Sequence, residues 1–95
     1  MLRTPTSELR LEILELLKNP VAHFPPGPHG DPLTDGVTSD AVADRLGVRR
    51  ELAATHLGLL ADLGLLRVCR IRRSIHYRRD EVRIAEVARM FEKGW

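Results

Sequence analysis

Eight basic residues, all of them arginine, fall between positions 47 and 79, where only Glu51 and Asp62 are acidic, so this segment carries a net +6. The flanks are acidic by comparison: residues 1–46 carry −3 and residues 80–95 carry −1, within a total of +2. A guanidinium is permanently charged and presents a planar fork of donors, and each phosphate it neutralises releases bound counterions. A block of this kind therefore suits a phosphate-bearing surface, although charge runs are more often solvated faces. A second set of donors is His23, His29 and Asp31, with His76 farther along the chain. Imidazole with carboxylate suits nickel, zinc or cobalt better than copper(I) or arsenic. These residues have no fixed ligand spacing, and the plainer reading places them in a proline-rich turn. Cys69 is the single cysteine, so no intramolecular disulfide can form. As a redox sensor it would need a thiolate stabilised by Arg67 or Arg70; otherwise it is an inert strand residue. No catalytic pattern accompanies these groups. Gly27 and Gly30 are not followed by the Lys-Ser/Thr of a phosphate loop, and neither a Ser-His-Asp order nor a metalloprotease spacing occurs. The chain is expected not to be an enzyme.

The elements that position these groups follow from periodicity. At 95 residues the chain is read as one domain, 1–95, with a core small enough that an oligomer interface would help to stabilise it. Thr6 or Ser7 can cap a first helix in which Leu9, Ile13, Leu16 and Leu17 form one apolar stripe, with Leu11 and Leu14 outside it. Pro20 is expected to end that helix. Residues 21–37 hold four prolines and three glycines up to Gly36, and read as an ordered or semi-ordered loop without regular structure. Thr38 or Ser39 can then cap a helix stopped by Gly47, and a second helix runs from about Arg50 to Leu63 before Gly64. Two helices joined by a tight turn over 39–63 make a helix-turn-helix arrangement. From 65 to 79 the pattern alternates as LLRVCRIRRSIHYRR, a β-hairpin with its turn near Arg72 and Arg73. Leu66, Val68, Ile75 and Tyr77 are expected to cover the helices. Asp80 can cap a last helix over 80–92, with Ile84, Val87, Ala88 and Phe91 on one stripe and Trp95 ending the chain. The fold class is thus mainly α with one small hairpin (α+β). The start of the chain lacks a signal-peptide core and the sequence has no run of 18 apolar residues, so a soluble cytoplasmic protein without membrane contact is expected.

The segments LRLEILELLKN, SDAVADRLGV, THLGLLADLGLL and RRSIHYRRDE, in this order, resemble the ArsR-type family of winged helix-turn-helix regulators across nearly the whole chain. The T-H-L-x-x-L-x-x-x-G-L run is the most specific part. The resemblance implies a homodimer built through the first and last helices, with Leu11, Leu14, Ile84, Val87 and Phe91 as its interface. It also implies a metal sensor's positions, which can be checked one by one. The thiolate pair of such sensors would fall at Thr38 and Asp40, which supply no sulfur, and the last-helix zinc site would fall near Glu81, Arg83 and Gly94, where only Glu81 could ligate.

The expected partner is double-stranded DNA with a roughly palindromic operator. In a helix-turn-helix the start of the second helix lies nearest the bases, which singles out Arg49, Arg50, Glu51, Ala54, Thr55 and His56. His56 also adjoins core Leu57, and packing is its plainer role. At the wing, Arg70, Arg72 and Arg73 would reach the adjacent minor groove or backbone, with Arg78 and Arg79 behind them. Transcription regulation responsive to nickel or zinc through His23, His29 and Asp31 is the expected activity. The alternatives are an effector-independent or redox-responsive regulator, and a winged helix used only for protein contact.

Overall fold

The computed structural model describes residues 6–26 and 30–91. Helix α1 spans Thr6–Lys18, α2 Pro20–His23, α3 Ser39–Leu46, α4 Arg50–Asp62 and α5 Glu81–Phe91; strands β1, Leu66–Ile71, and β2, Ser74–Arg79, form an antiparallel pair. The capping side chains expected of Thr6 and Ser7, together with His29, Gly94 and Trp95, lie outside the described part.

The leucine stripe of α1 is buried as its spacing predicts, with Ile13 fully enclosed. Leu14 is buried as well, which corrects its assignment to a partner-facing side. The reason is that α1 packs on both α4 and β2, so two of its sides belong to its own core. Leu11 remains exposed. Pro20 does end α1, but it also opens a one-turn helix, because a proline at the first helical position forfeits only an N–H that would have had no partner. The turn closes with the Phe24 N–H donating to the Pro20 carbonyl at 2.8 Å, and Phe24 enters the core.

The rest of the stretch, expected as an ordered or semi-ordered loop, is held by its own turns and by one bridge to the hairpin. Asp31 Oδ1 accepts the Leu33 N–H at 2.9 Å, and Asp35 Oδ2 accepts the Asp31 N–H at 2.9 Å. Val37 then pairs antiparallel with Tyr77, exchanging both backbone hydrogen bonds at 2.8 Å. This adds a one-residue third strand to the hairpin.

Thr38 caps α3, its hydroxyl oxygen accepting the Ala41 N–H at 3.2 Å. Gly47, at φ 69°, reverses the chain, and α4 begins three residues later. Val42, Ala53, Leu57 and Leu60 lock α3 and α4 into the same cluster as α1. The hairpin register places Leu66 opposite Arg79, Val68 opposite Tyr77 and Arg70 opposite Ile75, all on one face. Only the base of that face meets the body, through Leu66, Tyr77 and Arg79. Val68 and Ile75 lie farther toward the turn and are 54% and 45% exposed, a correction to the expectation that they cover the helices.

Asp80 begins α5 as expected, its carboxylate accepting the Arg83 N–H at 3.1 Å. That bond, reinforced by Arg67, holds its carboxyl below the ordinary value. Ile84 is the buried residue of α5, Val87 and Ala88 are half-buried, and Val82, Met90 and Phe91 are exposed. Ile84 therefore belongs to the chain's own core, which corrects its interface assignment. Among the described residues no helix is long and apolar enough to cross a membrane. The architecture is a winged helix-turn-helix: α3 and α4 form the helix pair, β1 and β2 the wing.

Candidate nucleic-acid interface

The first turn of α4 carries Arg49, as the residue preceding the helix, then Arg50 and Glu51, all exposed. A bend with glycine at its apex presents them, so their placement is a consequence of the α3–α4 turn. Arg50 Nε lies 3.5 Å from Asp40 Oδ1 on α3, an exposed pair that an anion can displace at little cost. Thr55 is exposed and donates its hydroxyl to the Glu51 carbonyl at 2.9 Å; Ala54 is half-buried one position before it.

His56 is placed differently from expectation. It is 3% exposed, and Arg10 Nε on α1 donates to its Nδ1 at 3.4 Å. This corrects its assignment as a DNA contact: position 56 turns toward α1, on the side of α4 that holds Leu57 and Leu60 in the core. Burial and the neighbouring guanidinium of Arg10 both push its pKa down. A lowered folded-state pKa means that the unfolded chain takes up the proton first as pH falls. Stability from this residue is therefore fully present above the ordinary value of 6.5 and declines as pH drops through it toward the folded pKa. Urea unfolding between about pH 7.5 and pH 5.5 is expected to show this decline, and His56→Gln to flatten it. An equal slope in both proteins would count against the assignment.

The arginines of the wing divide into separate groups. Arg72 and Arg73 form the two-residue turn, and Arg70 lies on β1 next to it; all three are exposed. Arg72 has φ 57°, the sole positive φ outside glycine among the described residues. A glycine would sit there without strain, so an arginine in this position retains charge at a conformational cost. At the hairpin base, Arg67 donates to Asp80 Oδ2 at 3.4 Å and Arg78 lies opposite it in register. Arg79 is buried at 8%, donating to the Leu14 carbonyl at 2.9 Å and to both carboxylate oxygens of Glu81 at 2.8 and 3.1 Å. Its expected place behind the DNA-facing arginines is corrected: it joins α1 to the start of α5. The alternating hairpin pattern does separate the two, since Arg79 shares the face of Ile75 and Tyr77 while Arg78 lies on the other, but an arginine at an inward position opposite Leu66 is unusual.

Two of the three candidate metal ligands, His23 and Asp31, lie among the described residues. Among the described residues no group of three or more His, Cys, Asp or Glu could hold a metal ion. His23 Nδ1 lies 3.4 Å from an Arg45 guanidinium nitrogen, which can only donate, so its lone pair is already used and a cation stands beside it. Asp31 is engaged in its turn, and His29 lies outside the described residues. The positions that correspond to metal-sensor ligands are likewise occupied: Thr38 caps α3, Asp40 pairs with Arg50, and Glu81 pairs with Arg79. Cys69 is exposed on β1, with its Sγ 4.0 Å from the Arg70 carbonyl.

No protein-family model matches the chain. Among curated proteins it is similar to YbzH of Bacillus subtilis (strain 168), an HTH-type transcriptional regulator, with 36% identity over 83 residues, 87% of this chain and 83% of the relative. That coverage spans the helix pair and wing whose geometry is described above, and the chain belongs to the HTH-type transcriptional regulators.

Proposed function

We propose that the chain is a homodimeric regulator of the ArsR-like kind that binds duplex DNA. The first turn of α4 enters the major groove, and the wing tip lies on the adjacent minor groove or backbone. The observation that carries this reading is the coincidence of exposed arginines at both places where a winged helix meets DNA: Arg49 and Arg50 at the start of α4, and Arg70, Arg72 and Arg73 at the hairpin turn. The two-residue turn demands a positive φ at its first position, where glycine is usual, and this chain carries an arginine there.

The dimer is supported by the state of α5. An isolated helix of 11 residues is marginal, yet only Ile84 of this one is buried while Val82, Met90 and Phe91 face solvent. A second copy covering these residues, with Leu11 of α1, would supply the missing burial. Two such units would place their recognition helices on half-sites about one helical turn, or a multiple, apart.

The test is the salt dependence of DNA affinity in the wild type and two variants. Arg50→Ala is expected to weaken binding by about tenfold and to relax sequence preference at one base pair. Arg72→Gly is expected to weaken all sequences and to reduce the salt slope by about one, while leaving thermal stability unchanged or about 1 kcal/mol higher through relief of the positive φ. Binding that is absent, or flat with salt, would favour a winged helix used for protein contact.

A further inference from the structure

Between the proline-rich segment and α3 lies a cavity of about 480 Å³, in the size range of small-molecule sites. One wall is apolar and partly aromatic: Phe24, Pro25, Pro32, Val37 and Ala41. The polar groups are few and differ in kind. Arg45 contributes a guanidinium whose partner among the described residues is His23, a neutral acceptor rather than a carboxylate. His76 is 2% exposed, and its Nδ1 lies 3.4 Å from the Gly36 carbonyl oxygen. A carbonyl only accepts, so Nδ1 is the donor in this contact, and Nε2 is the ring nitrogen left for a ligand. No described residue donates to that nitrogen. His76 thus brings a ring nitrogen to a cavity whose cation, Arg45, makes no ion pair among the described residues. Asp44 also lines the cavity, and its charge disfavours ligands bearing more than one negative group.

We infer that this cavity binds a small monocarboxylate with a flat apolar body. Its ring lies against Phe24 and the prolines, its carboxylate takes the fork of Arg45, and a donor on the ring, where present, reaches His76 Nε2. The long contact between Arg45 and one histidine nitrogen is exchanged for a bond to a carboxylate, in which both partners are ionised and the fork can bond twice. The position of the cavity ties occupancy to the interface. Thr38 and Ala41 belong to the first turn of α3, and Val37 holds Tyr77 of the wing by two backbone hydrogen bonds. A ligand there bears on the helix pair and the wing together, and biases DNA affinity to the extent that it fits one of their arrangements better than another. This coupling rests on the DNA-binding reading; the binding itself does not.

Benzoate is the probe. In amide-detected NMR of the full chain, titration with benzoate is expected to give saturable shifts at Val37, Thr38, Ala41 and Arg45. Benzamide, its neutral isostere, and the dianion phthalate are expected to bind at least about tenfold more weakly. Arg45→Gln, a change at an exposed side chain, should abolish the preference for benzoate over benzamide. Ala41→Phe should remove binding by filling the space, and a dispersed spectrum would confirm that this variant is folded. The site is overturned if benzoate gives no saturable shift up to about 10 mM, a limit above which affinity is negligible, or if Arg45→Gln binds it as tightly as wild type. Benzoate bound with unaltered DNA affinity overturns the coupling and leaves the site. DNA binding that fails in every condition, with benzoate still bound, overturns the DNA reading alone.

Discussion

Arg79→Ala is expected to lower the unfolding free energy by about 3 kcal/mol, whereas Arg78→Ala one position earlier should change it by no more than about 0.5 kcal/mol. Both residues are arginines on β2, so composition treats them alike. The side chain of Arg79 is 4% exposed, and its guanidinium closes a bidentate pair with Glu81 while also bonding the Leu14 carbonyl. Truncation removes the buried bond to the Leu14 carbonyl and opens the space that the aliphatic stem fills beside Leu66. The share owed to Glu81 is discounted, because that carboxylate is 67% exposed and partly screened by water. Arg79→Lys should recover little, since an ammonium cannot span a carboxylate and a carbonyl with a planar fork. Urea unfolding measures all three variants. The companion measurement is DNA affinity at a temperature where each is folded: Arg79→Ala should leave the salt slope unchanged, and Arg72→Gly should not. Equal stability losses at positions 78 and 79 would remove Arg79 from the framework and return it to the phosphate-facing set.

The contrast between these two arginines marks where sequence patterns stop being informative. Helical periodicity located α1, α3 and α4 because each buries an apolar stripe, and Thr38 and Gly47 announced the ends of α3 by capping chemistry. The exposed arginines at the start of α4 and at the hairpin tip were legible because charge there has no competing structural use. The inward-facing polar residues were not. His56, His76 and Arg79 are all nearly enclosed, and each is held by a partner remote in sequence: Arg10, the Gly36 carbonyl and the Leu14 carbonyl. Such pairings leave no periodic trace. The pairing made by the loop was not legible for a related reason. Its prolines and glycines argue correctly against long elements, yet Val37 needs only one residue of extended backbone to pair with Tyr77, and that pairing builds both the third strand of the wing and one wall of the cavity. Leu14 was expected at a subunit seam because apolar residues outside a helix's main stripe often face a partner, and Ile84 because the family resemblance implies an interface on the last helix. Here α1 serves two neighbours in its own chain, so the surface left for a partner shifts to Leu11, Val82, Met90 and Phe91.

Gly36→Ala is expected to be about as damaging as the loss of Arg79, at about 3 kcal/mol or more, while Gly47→Ala should cost only about 1 kcal/mol. Both glycines have positive φ, 90° and 69°, so backbone preference alone would rank them as similar. Their surroundings differ. A β-carbon at Gly47 would meet nothing within 4 Å, whereas one at Gly36 would lie 2.6 Å from the Tyr77 carbonyl oxygen and 2.8 Å from its carbon. Those are backbone atoms of β2, already fixed by the ladder to β1, and they cannot yield as a flexible side chain would. The loop must therefore withdraw, breaking the two Val37–Tyr77 hydrogen bonds and moving the carbonyl that orients His76. For a chain of this size each kcal/mol corresponds to about 4–8 °C in Tm, so the two variants should separate by about 8 °C or more in a thermal scan. Amide exchange supplies the local readout: Val37 and Tyr77 should lose protection in Gly36→Ala at a temperature where Leu57 on α4 keeps its own. Similar Tm losses at positions 36 and 47 would mean that the loop does not press against β2 in solution. The wing would then be a free two-stranded hairpin, with no mechanical link from the cavity to the arginines at its tip.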